Sequence, residues 1–298
     1  MTMVEIISVV IPTKDRATFL VRAIESVLYQ DYNQLEIIVV DDGSTDGTYE
    51  LVQNKYPQIR LIRNDVSAGG AMARNMGAEQ AKGKYIAFLD SDDEWLPDHL
   101  SSKIEFIKKQ GASGVFGSFF LIGAEHDFEV KFTPWREQSI GDMILGNQRF
   151  DCRTSTFVFK REPFLKVKFD NEMPKHQDWD LAIRFARLYP LVLDRLTTVK
   201  IHVSRENRMS SSLNLVGSKY FLEKNHEFVS GKSILIFCIK LWWRAKRTND
   251  SNAKEYLLLV DNYRKKMSTL NFVVLQILKT GLLHPNLIYN FKKLFTRN

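Results

Sequence analysis

Phe88-Leu89-Asp90-Ser91-Asp92-Asp93-Glu94-Trp95 is the stretch on which the reading of this chain turns. An apolar run over residues 85–89 has the length and composition of a buried strand, and it runs directly into Asp90, Asp92, Asp93 and Glu94. Carboxylates packed this densely repel one another, so a positive partner is expected among them. The Asp-x-Asp spacing suits Mg2+ or Mn2+, which keep several waters and take one or two carboxylates together with substrate phosphate oxygens. The same residues also read as an acidic loop capping the following helix, with Pro97 in its first turn.

Working outward toward the N-terminus, the pattern of strand, polar loop and helix recurs. Residues 6–11 form a β-branched run broken by Pro12, then Thr13, Lys14, Asp15 and Arg16, then an apolar helical face of Phe19, Leu20, Ala23, Ile24, Val27 and Leu28. Residues 35–40 repeat the strand signal and end in Asp41-Asp42-Gly43-Ser44-Thr45-Asp46-Gly47. A third short strand spans 59–62, and Ala68-Gly69-Gly70 opens a helix that closes at Gly83. Strands alternating with helices at this spacing predict an open parallel sheet with its ligand loops at the carboxyl ends of the strands. All three polar clusters follow a strand, so they are expected on one rim, where a single site is more economical than three unrelated helix caps.

Four segments, Val9-Val10-Ile11-Pro12-Thr13, Val39-Val40-Asp41-Asp42-Gly43-Ser44-Thr45-Asp46, Ala73-Arg74-Asn75-Met76-Gly77 and Phe88-Leu89-Asp90-Ser91-Asp92-Asp93, closely resemble the successive motifs of family 2 glycosyltransferases. The resemblance is strong over residues 4–96 and continues weakly to about residue 205. It implies the GT-A fold, a Rossmann-like α/β arrangement with a mixed, mostly parallel sheet flanked by helices. It also implies a UDP-sugar donor held by Pro12, Thr13, Asp15, Arg16, Asp42, Arg74 and Asp90, with Asp42 accepting from the uracil ring. Mn2+ or Mg2+ is implied on Asp92, with Asp90 at the ribose or a metal-bound water. The aromatic residue common in the first family loop is absent, because Lys14-Asp15 follows Pro12-Thr13. Arg74 also reads as an exposed helix residue, and Asp93 as an acceptor-orienting group or a helix cap.

Downstream, Leu100, Ile104, Phe106 and Ile107 pattern an amphipathic helix and 114–122 a Phe-rich strand. Residues 126–150, with Pro134, Trp135, Gly141 and Gly146, have no period and read as a lid, a binding loop or a surface insertion. Residues 156–160 are expected to return to the sheet. In His176-Gln177-Asp178-Trp179-Asp180, Asp178 resembles the second residue of the Glu-Asp pair that carries the catalytic base of inverting members, with Gln177 in place of the Glu. A carboxylate there would take the proton of an acceptor hydroxyl. Asp178 also reads as a helix N-cap and Asp180 as a first-turn acid. His202 lies in the run 199–204, a strand leading into a polar loop; the resemblance implies a later His at the metal or diphosphate, beside Asp92 and Asp90, and a lone strand His also reads as structural. Arg205 and Arg208 follow as groups able to close over a diphosphate.

Charge divides the chain unevenly. Residues 232–298 hold 13 Lys and Arg against 3 Asp and Glu, so this end carries +10 and the first 231 residues −3. The apolar run 233–243, ending in Trp242-Trp243 beside Arg244, Lys246 and Arg247, is too short to span a bilayer but suits an interfacial helix on an anionic membrane surface. Residues 270–295 are a second candidate, and a helical appendage packed on the catalytic domain is the alternative. No motif for nucleic acid accompanies the basic end. Two distant cysteines support neither disulfide nor zinc, and the N-terminal run, stopped at Pro12 with no cation before it, reads as a strand and not a signal peptide. The expected organisation is a catalytic domain over 1–210, with a nucleotide half to residue 96 and an acceptor half beyond it, and a basic helical region over 211–298. The function the resemblance implies is inverting, metal-dependent transfer of a hexose, glucose or galactose, from a UDP-sugar onto a lipid-linked sugar in surface polysaccharide synthesis, and the basic end places it at the cytoplasmic face of the inner membrane. A sugar nucleotidyltransferase lacks its Gly-rich basic loop here, and an inactive sugar-nucleotide-binding protein would not need both the acidic motif and Asp178.

Overall fold

The computed structural model describes residues 5–123, 126–132, 139–146, 150–203 and 213–280. The chain divides into two compact units, one of residues 1–136 with 149–208 and the other of residues 137–148 with 209–298. The first is an α/β unit built on a seven-stranded sheet. Its strands are β1 (Ile7–Thr13), β2 (Leu35–Asp41), β3 (Arg60–Arg63), β4 (Tyr85–Phe88), β6 (Gly114–Gly117), β9 (Val158–Lys160) and β10 (Leu191–Asp194), in the order β10-β6-β9-β4-β1-β2-β3. Every residue of β1 is buried, as expected of a β-branched central strand covered on both faces.

The sheet is mixed where periodicity alone predicts it parallel. β9 runs antiparallel between β4 and β6, whereas β1, β2, β3 and β4 are mutually parallel. Strand direction depends on how the long segment before β9 returns, which no local pattern encodes. Parallel pairing in the register Thr13 to Asp41 and Val10 to Phe88 brings the carboxyl ends of β1, β2 and β4 to one rim. Helices α1 (Ala17–Leu28), α2 (Thr48–Lys55) and α3 (Gly70–Gln80) return the chain between these strands. Close packing of α3 depends on Gly77: a Cβ there would lie 2.4 Å from Val10 Cγ1 and 3.1 Å from Val40 Cγ2.

A second sheet, ordered β5-β11-β7-β8, consists of β5 (Glu94–Trp95), β7 (Phe119–Ile122), β8 (Phe128–Val130) and β11 (Val199–His202). It carries the end of the acidic stretch beside His202. Helix α4 (His99–Gln110) is tied to this region by a buried ion pair, Lys103 Nζ to Asp194 Oδ2 at 2.5 Å, and by His99 Nδ1, 2.8 Å from Thr198 Oγ1. Helices α6 (Arg161–Val167) and α7 (Gln177–Leu188) complete the unit. Phe88, Phe159, Phe164 and Phe169 pack ring against ring beneath the rim, with centroids 4.9 Å apart for Phe88 and Phe164 and 5.3 Å for Phe88 and Phe169.

The second unit is helical: α5 (Ile140–Gly146), α8 (Leu215–Asn225), α9 (Gly231–Arg247), α10 (Ala253–Leu258) and α11 (Thr269–Lys279). Residues 137–148, assigned by sequence to the catalytic domain, belong here, because Asp142 of α5 accepts from Ser230 N at 2.8 Å and Lys240 Nζ donates to Leu145 O at 2.9 Å. The apolar run expected as an interfacial helix is the central helix of this unit. Ile234, Leu235, Phe237, Cys238, Leu241 and Trp242 are all buried, so they are spent on the internal core. An exposed apolar stripe lies instead on α11, where Leu270, Val273 and Ile277 are 66%, 47% and 41% exposed. Among the described residues no helix is long and apolar enough to cross a membrane. Pro134, Trp135, Arg205, Arg208 and residues 281–295 of the second apolar stretch lie outside the described residues.

Candidate active site

The three polar loops at the rim are bonded to one another. Asp15, at φ +49°, donates from its amide to Ser44 Oγ at 2.9 Å and accepts from Thr45 N at 2.7 Å, joining the loop after β1 to the loop after β2. Asp42 accepts four hydrogen bonds of 2.7–2.8 Å, from Asn64 Nδ2, Ser67 Oγ, Ala68 N and Gly69 N. Gly69, at φ +90°, supplies the turn that aims its amide at that carboxylate. Burial opposes charge on Asp42, but these four donors outweigh it and hold its carboxyl below the usual range. With both oxygens engaged inside the chain, direct acceptance from a uracil ring would have to displace one of these bonds. Thr13 Oγ1 is buried with no hydrogen-bond partner among the described residues, as suits a hydroxyl awaiting a polar ligand. Pro12 lies in β1 just before it, where the missing N–H fits the end of the strand.

The acidic stretch separates into residues with different tasks. Asp90 Oδ1 lies 2.5 Å from Arg74 Nη2, whose other terminal nitrogen donates to Gln177 Oε1 at 3.2 Å. Arg74 is buried over the Phe169 ring, at 5.4 Å, so it is no exposed helix residue. Asp93 is almost fully buried; it accepts from Ser155 Oγ at 2.6 Å and from His202 N at 3.1 Å, tying the loop to β11 and to the short turn Thr154–Thr156. It is therefore a structural acid. Asp92 Oδ2 lies 3.8 Å from Arg16 Nη1, while its carbonyl accepts from Arg22 Nη2 at 2.5 Å.

The metal set Asp90, Asp92 and His202 does not assemble. His202 Nε2 lies 3.1 Å from Glu94 Oε1, and because a carboxylate accepts, Nε2 carries the proton. Burial and the nearby Arg22 outweigh Glu94 and push His202 below its ordinary value, leaving it a neutral structural partner of Glu94. Among the described residues no three His, Cys, Asp or Glu side chains form a group able to hold a metal. A protein cage is not what Mg2+ or Mn2+ requires, however, since these ions take one or two carboxylates and complete their shell with water and phosphate oxygens. Asp92, in the loop after β4, is a carboxylate of the kind such an ion takes, and Asp90 is held by Arg74.

Asp178 begins the opposite wall, in the first turn of α7. His176, in the left-handed region at φ +66°, turns the chain into that helix, and its ring stacks on Trp179 with centroids 4.7 Å apart. Asp178 Oδ1 accepts from Trp179 N at 3.0 Å. Crowding by protein, then the charge of Asp151, lifts its carboxyl from 3.8 to about 7, although Arg153 and the Trp179 amide pull the other way. A carboxylate half ionised near neutrality has the affinity a general base needs. Asp180 is fully buried and paired with Arg184 at 2.6 Å, an internal structural ion pair. Gln177, in place of the family's Glu, donates to Met173 O at 2.9 Å and leaves Arg74 facing a single carboxylate, Asp90.

Two residues near Asp178 belong to no motif or spacing in the sequence. Asp151 and Arg153, paired at 2.6 Å, come from the aperiodic segment before β9, and Asp151 accepts from Trp179 Nε1 at 3.0 Å. Their charged types around the buried Cys152 were the one available hint.

Comparison with known proteins agrees with this geometry. The family described as Glycosyl transferase family 2 matches residues 8–167, which is more than half of the chain. The amylovoran biosynthesis glycosyltransferase AmsB of Erwinia amylovora is 33% identical over 194 residues, covering 61% of this chain and 64% of that protein. The UDP-Glc:alpha-D-GlcNAc-diphosphoundecaprenol beta-1,3-glucosyltransferase WfaP of Escherichia coli is 35% identical over 168 residues, 55% of this chain and 64% of its own. The match thus spans less than two thirds of either relative. Among solved structures, residues 1–349 of S. aureus TarS in complex with UDP-GlcNAc superpose with a TM-score of 0.66 at 16% identity, covering 89% of this chain and 82% of that one, which identifies the fold as GT-A. A mostly parallel rim that gathers an Asp-x-Asp loop, a buried arginine and a carboxylate poised near neutrality, together with a family match across that rim, places this chain in glycosyl transferase family 2.

Proposed function

We propose that this glycosyltransferase is an inverting, metal-dependent enzyme that moves glucose or galactose from a UDP-sugar onto a lipid-linked GlcNAc-diphosphate acceptor, forming a β-1,3 bond in the synthesis of O-antigen or another surface polysaccharide. The observation that carries the proposal is the raised carboxyl of Asp178 beside the charged rim. Asp178 takes the proton of the acceptor hydroxyl as its oxygen bonds to the anomeric carbon, and the bond from that carbon to the β-phosphate oxygen breaks. Attack from the face opposite the leaving group turns an α-linked donor into a β-linked product. Arg16 holds the diphosphate side of the rim, and Arg74 fixes the Asp90 carboxylate that receives the donor. A divalent cation, Mn2+ or Mg2+, held by Asp92 with phosphate oxygens and water, would offset the charge that develops on the leaving diphosphate.

Donor and acceptor are supported by the reaction in the name of WfaP and by the UDP-GlcNAc bound to TarS. A lipid-linked acceptor calls for work at a membrane surface. The +10 charge over residues 232–298 and the exposed stripe on α11 suit peripheral attachment to anionic lipid at the cytoplasmic face of the inner membrane. The test is a mass-spectrometric screen of several UDP-sugars against synthetic GlcNAc-diphosphate-lipid acceptors. Addition of one hexose from UDP-glucose or UDP-galactose is the expected outcome. Donor binding without turnover across the whole screen would favour an inactive sugar-nucleotide-binding protein.

A further inference from the structure

We propose that Asp151 and Arg153 are a pair of positioning residues that govern when the Asp178 carboxylate is charged. The pair is built into the wall of the site. Arg153 Nη2 lies 2.6 Å from Asp151 Oδ2, and the other oxygen of Asp151 accepts from Trp179 Nε1 at 3.0 Å. Trp179 in turn donates its amide to Asp178 Oδ1 at 3.0 Å. Trp179 therefore spans the two acids, donating to Asp151 from its indole nitrogen and to Asp178 from its backbone amide. Stacking on His176 fixes the plane of that ring, and Arg153 is backed by the face of Phe119 at 5.9 Å.

Burial is the largest influence on Asp178 and raises its proton affinity, and the two charges act on it in opposite directions. Asp151 raises its proton affinity and Arg153 lowers it; Asp90, facing from the loop after β4, adds to the raising side. Cys152, between the pair, is a buried neutral thiol, and Arg153 is also faced by Asp93. Lys175 and His176 precede Asp178 on its own loop, and Arg74, paired with Asp90, donates to the neighbouring Gln177. Without Asp151, Arg153 would pull the carboxyl toward its ionised form against burial; without Arg153, Asp151 would add to burial and favour the protonated form. The pair therefore adjusts, on top of the effect of burial, the pH at which the carboxyl becomes ionised.

The catalytic importance of this tuning rests on Asp178 being the base, but the electrostatic coupling is measurable without turnover. The full-length chain, labelled with 13C at the Asp carboxyl carbons and free of metal and substrate, is titrated by NMR, and the Asp178 signal is assigned by its loss in Asp178→Asn. In Asp151→Asn the Asp178 midpoint should fall by about one unit or more, and in Arg153→Gln it should rise, the range expected of a neighbouring charge. Asp151→Glu should return it toward the native value. A midpoint that does not move in Asp151→Asn, or that moves the same way in both variants, overturns the proposal. If Arg153→Gln does not fold, the Asn and Glu variants of Asp151 decide the matter. Failure of the base reading shows separately: Asp178→Asn would then keep native transfer activity whatever the midpoints do.

Discussion

Between pH 3.8 and about 7 the folded chain holds a proton on Asp178 that an unfolded carboxyl would release. The raised folded value means that stability falls as pH rises through this window, a cost borne at the site for a reactive group. For the proposed base role, catalysis has the opposite sign, because only the ionised form can take the acceptor's proton. In the wild-type enzyme, kcat/KM should climb about tenfold per pH unit below neutrality and level off above about pH 7. A profile flat from pH 5 to pH 8 would remove Asp178 from the rate equation. Asp92→Ala should abolish metal-dependent donor binding while leaving the melting temperature unchanged or higher, since removing one of several crowded carboxylates relieves repulsion. Donor binding by calorimetry, with and without EDTA, checks this, and indifference of the native enzyme to EDTA would contradict the role of Asp92. The places of Asp178 and Asp92 in the fold were legible in sequence because each sits in an ordered motif, one at the start of a helix and one just after a strand. Asp151 and Arg153 were not, because their neighbourhood with Asp178 is created by folding an aperiodic segment and leaves no spacing to read.

Strands β1, β2 and β4 and the helices between them were legible for a similar reason: each repeats a β-branched run, a polar loop and a 3.6-period apolar face. The antiparallel direction of β9 and the membership of α5 in the helical unit depend on long-range partners and had no local signature. Helix α9 shows a different failure, since an apolar run flanked by Trp and Arg reads equally as membrane-facing or as core, and packing against α5 and α10 decides for core. Where α3 meets the sheet, the fit is tight enough to predict a large effect from one methyl group. Gly77→Ala should cost about 1–3 kcal/mol by overpacking against Val10, read as a lowered denaturation midpoint at unchanged slope. A stability within 0.5 kcal/mol of native, roughly the range of neutral surface changes, would show that α3 packs more loosely than this.

At the scale of the whole molecule, the proposed membrane attachment joins a basic segment to an apolar helix face. Attraction to anionic lipid is worth about 1 kcal/mol per basic residue near the surface and weakens with salt, whereas burial of Leu270, Val273 and Ile277 adds a part that salt does not remove. Truncation after Gly231 would remove α9 and unpack α5, so substitution on α11 is the cleaner probe. Leu270, Val273 and Ile277 changed together to Ser should weaken sedimentation with anionic vesicles at high salt at least tenfold, with the melting temperature held. Equal sedimentation of native and substituted protein would return this stripe to an ordinary surface role.

Asp178→Asn provides the most direct test of base-assisted transfer at this rim. The full-length variant should bind the UDP-sugar that proves active with native affinity and lose roughly 10² to 10⁴ in turnover, the usual worth of a general base. Turnover within tenfold of native, with donor binding intact, would contradict the assignment of Asp178 as the base.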